Sequence, residues 1–470
     1  MTPKPVVTQD GLGLAQAIRA GHVTATAAVE SALQEIARND RDLNCFTAVL
    51  DESAREQAVR VDRLIAHGGD PGPWAGVPFA VKNLFDIEGV TTLAGSRIHA
   101  ERPPAARDAT AVARLKRAGA ILVGALNMDE YAYGFTTENS HYGATRNPHD
   151  LGCVAGGSSG GSAASVAAGM VPLTLGSDTN GSIRLPAAFC GVFGLKPTYG
   201  RISRAGTVPF VESLDHVGPF ARSVRDLAAA FDVLQGHDAR DPVSANRETE
   251  LCTPHLSRGA EGLRIAIAGD YFERLGMPEA FQPVLRAARA LGVERTIALP
   301  HVEKARAAAY IVTACEGGHG HMADLRTRPA DFDPLIVTRL LAGALLPEAW
   351  YRHAQRFRTV FRELMREIFR SVDVILAPAT PCPAIRLDQP TITVGGVEVP
   401  SRPNLGVFTQ PLSFIGLPVI CVPVFEPGRL PLGVQVVAAP YHEAAAFRVA
   451  RHLEELGVAR AHQPSMEKAA

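Results

Sequence analysis

The chain has 470 residues, 46% hydrophobic and 20% charged, the balance of a globular protein able to bury a large core in one to three domains. Its 47 Lys plus Arg stand against 48 Asp plus Glu with no long run of one sign, so neither nucleic acid nor an anionic membrane is called for as a partner. The seven cysteines, at 45, 153, 190, 252, 315, 382 and 421, are scattered and form no Cys-x-x-Cys pair, which points to a reducing, cytoplasmic setting.

Up to Thr24 the chain carries Lys4 but no apolar signal stretch, and no run of 18 apolar residues follows, so neither export nor membrane spanning is expected. Thr24 can cap a helix with Ala28, Leu33 and Ile36 near one face. A second helical pattern covers 51–67, with Ala54, Ala58, Val61 and Leu64 inward. Residues 1–70 therefore read as a helical segment packed on a core.

From Gly76 short apolar strands alternate with helices: a strand at 76–82, a helix at about 108–118, a strand at 121–126, a helix at about 161–169 and a strand at 171–176. Residues 263–370 mix one strand, 264–269, with three long helical patterns and read as a lobe over the sheet. Strands return at 372–380, 417–424 and 430–440 before a closing helix at 442–456. This alternation predicts an α/β protein with a sheet covered by helices on both faces.

Two small-residue clusters interrupt the pattern, Gly156-Gly157-Ser158-Ser159-Gly160-Gly161-Ser162 and Gly176-Ser177-Asp178-Thr179-Asn180-Gly181-Ser182-Ile183-Arg184. Glycines beside a serine leave its hydroxyl open and let backbone N–H groups converge on one point. Such a cluster serves equally as a tight turn, an anion nest or an oxyanion hole. Lys82 lies in the middle of an otherwise apolar strand, GVPFAVKN, where its charge is costly; burial of that kind lowers a lysine toward neutrality and makes it a base, although an inward lysine also serves as an ion-pair partner.

Two further patterns compete. Gly157-Ser158-Ser159-Gly160-Gly161 fits a G-x-S-x-G elbow with Ser159 as nucleophile, but the preceding HDLGCVAG lacks the buried strand an elbow follows. His319-Gly320-His321 has no companion spacing that completes a metal set, and reads as lobe surface.

Lys82, the GGSSGGS cluster and Ser182 within NGSIRLPAAFCGVFGLKPTYGR together resemble the amidase signature family in residue type, order and spacing, and the likeness extends from about residue 70 to 455. The resemblance implies the fold of that family, a large mixed sheet between helices, with residues 71–470 as its catalytic domain. It implies Ser182 as nucleophile, Ser158, on a cis peptide, as bridge, and Lys82 as base. It further implies the N–H groups of Thr179, Asn180, Gly181 and Ser182 as oxyanion hole, Asp178 with Arg184 as loop support, and no metal or organic cofactor.

Within the family, AVKNLFDIEGVTTLAGS at 80–96 resembles both the glutamine-hydrolysing amidotransferase A subunits and the 1-carboxybiuret hydrolases of cyanuric acid breakdown, while LFDIEGVTTLAGS at 84–96 and EGGHGHMADLRTRPADF at 316–332 resemble the second group more. That implies ammonia release from a small ureido carboxylate, and a small helical accessory subunit in a heterotetramer. Arg326 and Arg328 are the candidates for holding the substrate carboxylate, because guanidinium matches carboxylate in a two-pronged way. Related allophanate hydrolases use a Tyr-Glu-Gly segment here; this chain has Cys315-Glu316-Gly317. A catalytically idle binding subunit is the non-enzymatic alternative.

Overall fold

The computed structural model describes residues 10–464; the reading of the amino terminus at Lys4 lies outside them. Eleven strands form one mixed sheet: β1 (Phe46–Val49), β2 (Pro78–Lys82), β3 (Ile121–Leu126), β4 (Leu173–Asp178), β5 (Phe193–Lys196), β6 (His216–Ala221), β7 (Ile265–Ala268), β8 (Thr296–Ile297), β9 (Val374–Pro378), β10 (Val419–Val424) and β11 (Leu432–Ala438). Their order across the sheet is β1-β3-β2-β4-β6-β5-β10-β11-β9-β7-β8.

Every residue of β2, β3, β4, β6, β10 and β11 is buried. Successive side chains of a strand point to opposite faces, so full burial means that both faces are covered. This explains why these strands read as continuous apolar runs.

The expected helices form within a few residues of their predicted limits. Thr24 Oγ1 accepts from Ala27 N and opens Ala25–Leu43, while the second helix spans Asp51–Ala66. In the latter Ala54 and Ala58 are buried as expected, but Leu64 is 45% exposed, because the inward stripe is narrower than the periodicity suggests. Residues 10–70 also supply β1, an edge strand antiparallel to β3.

The stretch from 263 to 370 is more than a helical lobe. It gives the far edge of the sheet β7 and β8, then the helices Val302–Gly320, Pro334–Ala344 and Glu348–Phe369. Residues Asp150–Val154 form a strand, but a partly exposed one in a two-stranded ribbon apart from the main sheet and not the buried strand an elbow follows. All seven cysteines are free, and no helix among the described residues is long and apolar enough to cross a membrane.

One close approach ties the first glycine cluster to the sheet. Gly161 N donates to Asn127 O at 3.2 Å, and a Cβ at Gly161 would lie 2.6 Å from Cys45 O and 2.7 Å from Asn127 O. Gly161→Ala must therefore displace backbone, with an expected loss of about 1–3 kcal/mol measurable by urea denaturation.

Candidate active site

Strands β2 and β4 run parallel, so their carboxyl ends finish on the same edge of the sheet, where open α/β sheets place their sites. Lys82 ends β2; Ser177 and Asp178 end β4. The Gly160–Ala167 helix starts at that same edge. Ser159 Oγ donates to Ser177 O at 3.1 Å and Ser162 Oγ to Leu175 O at 3.0 Å, clipping the helix start to β4.

This clip delivers Ser158, which follows a cis Gly157–Ser158 peptide, to Lys82. Lys82 Nζ lies 2.7 Å from Ser158 Oγ and 2.9 Å from Ser177 Oγ, with Lys82 and Ser158 both fully buried. Ser159, the elbow candidate, spends its hydroxyl on backbone and is fully buried.

Burial pulls the Lys82 ammonium down to about 7, against the opposing carboxylates of Asp129, Asp215 and Asp178. Asp129 is itself lifted by burial to about 6, opposed chiefly by Arg402, the Thr137 N–H and Lys82. Near neutral pH the lysine therefore has a large uncharged fraction, and its nitrogen is within hydrogen-bond reach of the Ser158 hydroxyl.

The second cluster is folded around Asp178. Its carboxylate accepts from Gly181 N at 2.7 Å, Ile183 N at 3.2 Å, and Arg184 Nε and Nη2 at 2.9 Å each. Burial pushes this carboxyl up, but the Arg184 charge and hydrogen bonds outweigh it and hold it well below the usual range.

Arg184 Nη1 also donates to Gln435 Oε1 at 2.8 Å and Thr409 O at 3.1 Å, and Thr409 Oγ1 donates to Asn180 O at 2.6 Å. Gly181 sits at φ +141°, and a Cβ there would fall 2.3 Å from Thr409 Oγ1, so no side chain fits.

The Gly181 N–H is thus committed to Asp178, which removes it from the four donors expected to face a substrate. The N–H groups of Thr179, Asn180 and Ser182 have no hydrogen-bond partner among the described residues. Thr179 Oγ1 donates to Asp215 at 2.6 Å, and Asp215 also takes Phe210 N and Val211 N, anchoring this loop to the next.

Ser182 is 2% exposed, and its hydroxyl makes no hydrogen bond among the described residues. It lines a small cavity of about 20 Å³ together with Tyr133, Asn180, Phe210, Thr313 and Arg339. The geometry joins Lys82 directly to Ser158, while Ser182 reaches the cavity from its own loop.

Neither expected carboxylate-binding arginine lines that cavity. Arg328 is engaged by Glu101 at 2.6 Å and Asp331 at 2.8 Å, and Arg326 is exposed on the Met322–Thr327 helix. The arginine that does line it is Arg339, whose guanidinium stacks 3.7 Å from the centre of the Tyr133 ring and whose Nε is buried without a partner.

His321 packs on Tyr131 at 3.9 Å between ring centres, and burial pushes its pKa down to about 4. It lines a larger cavity of about 760 Å³ with His319 and Glu316, and Phe210 borders both cavities. Among the described residues no group of three or more His, Cys, Asp or Glu is placed to hold a metal.

The family model described as Amidase matches residues 27–447. The chain belongs to the amidase signature family.

This amidase is 52% identical over 447 residues to the AtzE subunit of 1-carboxybiuret hydrolase from Pseudomonas sp. (strain ADP), covering 95% of this chain and 98% of that protein. It is 36% identical to the A subunit of the glutamyl-tRNA(Gln) amidotransferase of Carboxydothermus hydrogenoformans, over 94% of this chain and 96% of the relative.

A solved structure of "an unexpected vestigial protein complex", tied to the origins of an s-triazine catabolic enzyme, shares 50% identity. It superposes with a TM-score of 0.95, covering 97% of this chain and all of that one. The A subunit of the glutamyl-tRNA(Gln) amidotransferase of Thermotoga maritima superposes with a TM-score of 0.81 at 30% identity, over 99% of this chain and all of its own. The chain is an amidohydrolase of the mixed α/β type found in these relatives.

Several residues of this amidase's site escaped the sequence reading. Gln435 had a signal, a lone amide in an otherwise apolar strand. Ser177 lay within the second small-residue cluster and Arg339 was a lone charge in an apolar helix, but Asp129, Asp215 and Thr313 had no signal, since each acts through a neighbour distant in sequence. Replacing Arg184 by Met leaves Asp178 buried with its charge uncompensated, and is expected to cost about 3–5 kcal/mol in chemical denaturation.

Proposed function

We propose that this amidase hydrolyses the terminal amide of a small ureido carboxylate of the 1-carboxybiuret type, yielding ammonia and a dicarboxylated urea, a step of cyanuric acid degradation. The observation that carries this reading is Arg339 lining the same cavity as Ser182: a cation with an unpaired buried donor, which suits a substrate whose carboxylate lies close to its amide. The 52% identity to a 1-carboxybiuret hydrolase subunit supports it.

In this reading neutral Lys82 accepts the Ser158 proton, Ser158 accepts that of Ser182, and Ser182 Oγ attacks the amide carbonyl. The N–H groups of Thr179, Asn180 and Ser182 stabilise the resulting oxyanion. Collapse breaks the C–N bond, and the proton returned through Ser158 leaves with ammonia. Water then adds to the acyl-enzyme by the same relay, and the acid departs. The chain works in the cytoplasm beside a small helical accessory subunit in a heterotetramer, a proposal supported by the structural relative being a complex.

An ammonia-release assay over 1-carboxybiuret, biuret, glutamine and an aryl amide tests the substrate. Turnover of the carboxylated urea above all others is expected; a preference for glutamine or the aryl amide would reject it. Ser182→Ala is expected to lose at least about 10⁴-fold in kcat, and Arg339→Ala about ten- to a hundredfold in kcat/KM for the carboxylated substrate, with biuret much less affected.

Activity requires the uncharged form of Lys82, so log kcat/KM should rise with unit slope as pH increases toward about 7 and level above it. A pH–rate profile flat between pH 5 and 8 would exclude Lys82 as the base.

A further inference from the structure

A second residue lining the Ser182 cavity, Asn180, carries an unpaired polar atom of opposite sense to Arg339 Nε. Asn180 is 6% exposed, and its Oδ1 is buried without a partner. Among the residues lining the cavity, these two side chains alone carry a buried unpaired nitrogen or oxygen, one a donor and one an acceptor.

The orientation of the Asn180 amide follows from its neighbours. Thr313 Oγ1 donates its single proton to Ala309 O at 2.8 Å, so toward Asn180, 2.7 Å away, it can only accept. The atom facing Thr313 must therefore be Nδ2, which leaves Oδ1 as the unused acceptor. The main chain is held as well, because the Asn180 carbonyl accepts from Thr409 Oγ1 at 2.6 Å. An acceptor buried in this way is costly unless a ligand supplies a donor.

Asn180 lies two residues before Ser182 and lines the same cavity, and its Oδ1 is the acceptor left without a partner there. A urea places an N–H beside the scissile carbonyl, whereas a carboxamide such as glutamine places a CH₂ there. A site built to accept a hydrogen bond discriminates against the analogue that cannot donate one.

We infer that the Asn180 side chain, oriented by Thr313, accepts the hydrogen bond of the N–H adjoining the scissile carbonyl and so selects ureido substrates over methylene-linked amides. This rests on the reading of the Ser182 cavity as the site that hydrolyses small carboxylated ureas. It adds that the nitrogen next to the reacting carbonyl is recognised, separately from the carboxylate.

N-carbamoylglycine and succinamate form a matched pair, with the same carboxylate and terminal amide and with NH replaced by CH₂ beside the carbonyl. Ammonia release by the full chain, purified with any partner it retains, gives kcat/KM for each. The ratio of the two cancels their intrinsic reactivities when a variant is compared with the parent.

Asn180→Ala keeps the backbone N–H and is expected to lower the ureido-to-methylene ratio about ten- to a hundredfold. Thr313→Val, which frees the amide to turn, should lower the ratio in the same direction, and Thr313→Ser should restore it. An unchanged ratio in both Asn180→Ala and Thr313→Val overturns this inference, while continued turnover of N-carbamoylglycine leaves the ureido carboxylate reading standing. A Thr313→Ser ratio as low as that of Thr313→Val overturns the orienting role of the hydroxyl. Failure of the parent to release ammonia from N-carbamoylglycine while cleaving succinamate overturns both.

Discussion

The buried pairing of Asp178 with Arg184 is the constraint on which the site depends. Neither side chain has any solvent exposure, so each charge must be met by protein groups. Asp178 meets it by gathering the N–H groups of Gly181 and Ile183, which bends the 179–183 loop back on itself. Arg184 meets it by reaching Thr409 O and Gln435 Oε1, groups more than 200 residues away. One ion pair thus shapes the loop that carries Ser182 and joins it to the carboxyl-terminal part of the sheet. The same demand explains why the Gly181 N–H faces inward.

Lys82 shows a different balance. Its burial alone would carry it far from its ordinary value, but three carboxylates, Asp129, Asp215 and Asp178, pull in the opposite direction and leave it close to neutrality. A lysine held at about 7 is divided between charged and uncharged forms under ordinary conditions, which suits the proposed role of accepting and returning a proton. Lys196 is also buried but is committed to the Leu417 and Pro197 carbonyls, the ordinary fate of an inward lysine. Contact with the Ser158 and Ser177 hydroxyls sets Lys82 apart from it.

The cavity beside Ser182 is assembled from parts of the chain far apart in sequence. Tyr133 comes from a turn after β3, Asn180 from the loop after β4, Phe210 from a loop held by Asp215, and Thr313 and Arg339 from the long helices. Its two unpaired buried polar atoms are of opposite senses, which favours a ligand having both an acceptor and a donor. The lobe helices therefore do more than cover the sheet, since they complete the walls of the site.

Sequence alone singled out the candidate residues that are local: Lys82 stood out as a charge within an otherwise apolar strand, and the two serine clusters because glycine and serine at those spacings open a hydroxyl to its surroundings. The strands were equally legible, since burial on both faces writes a continuous apolar run. Only the tertiary structure decided what depends on long-range contact. Arg339, and neither Arg326 nor Arg328, lines the Ser182 cavity because the chain folds its helix, the mostly apolar PLIVTRLLAGA, over the site. The commitment of the Gly181 N–H to Asp178, and of the Asn180 amide to Thr313, likewise depended on partners that a loop acquires only when the chain is folded. A hydrogen bond is a property of two positions, and the sequence displays them one at a time.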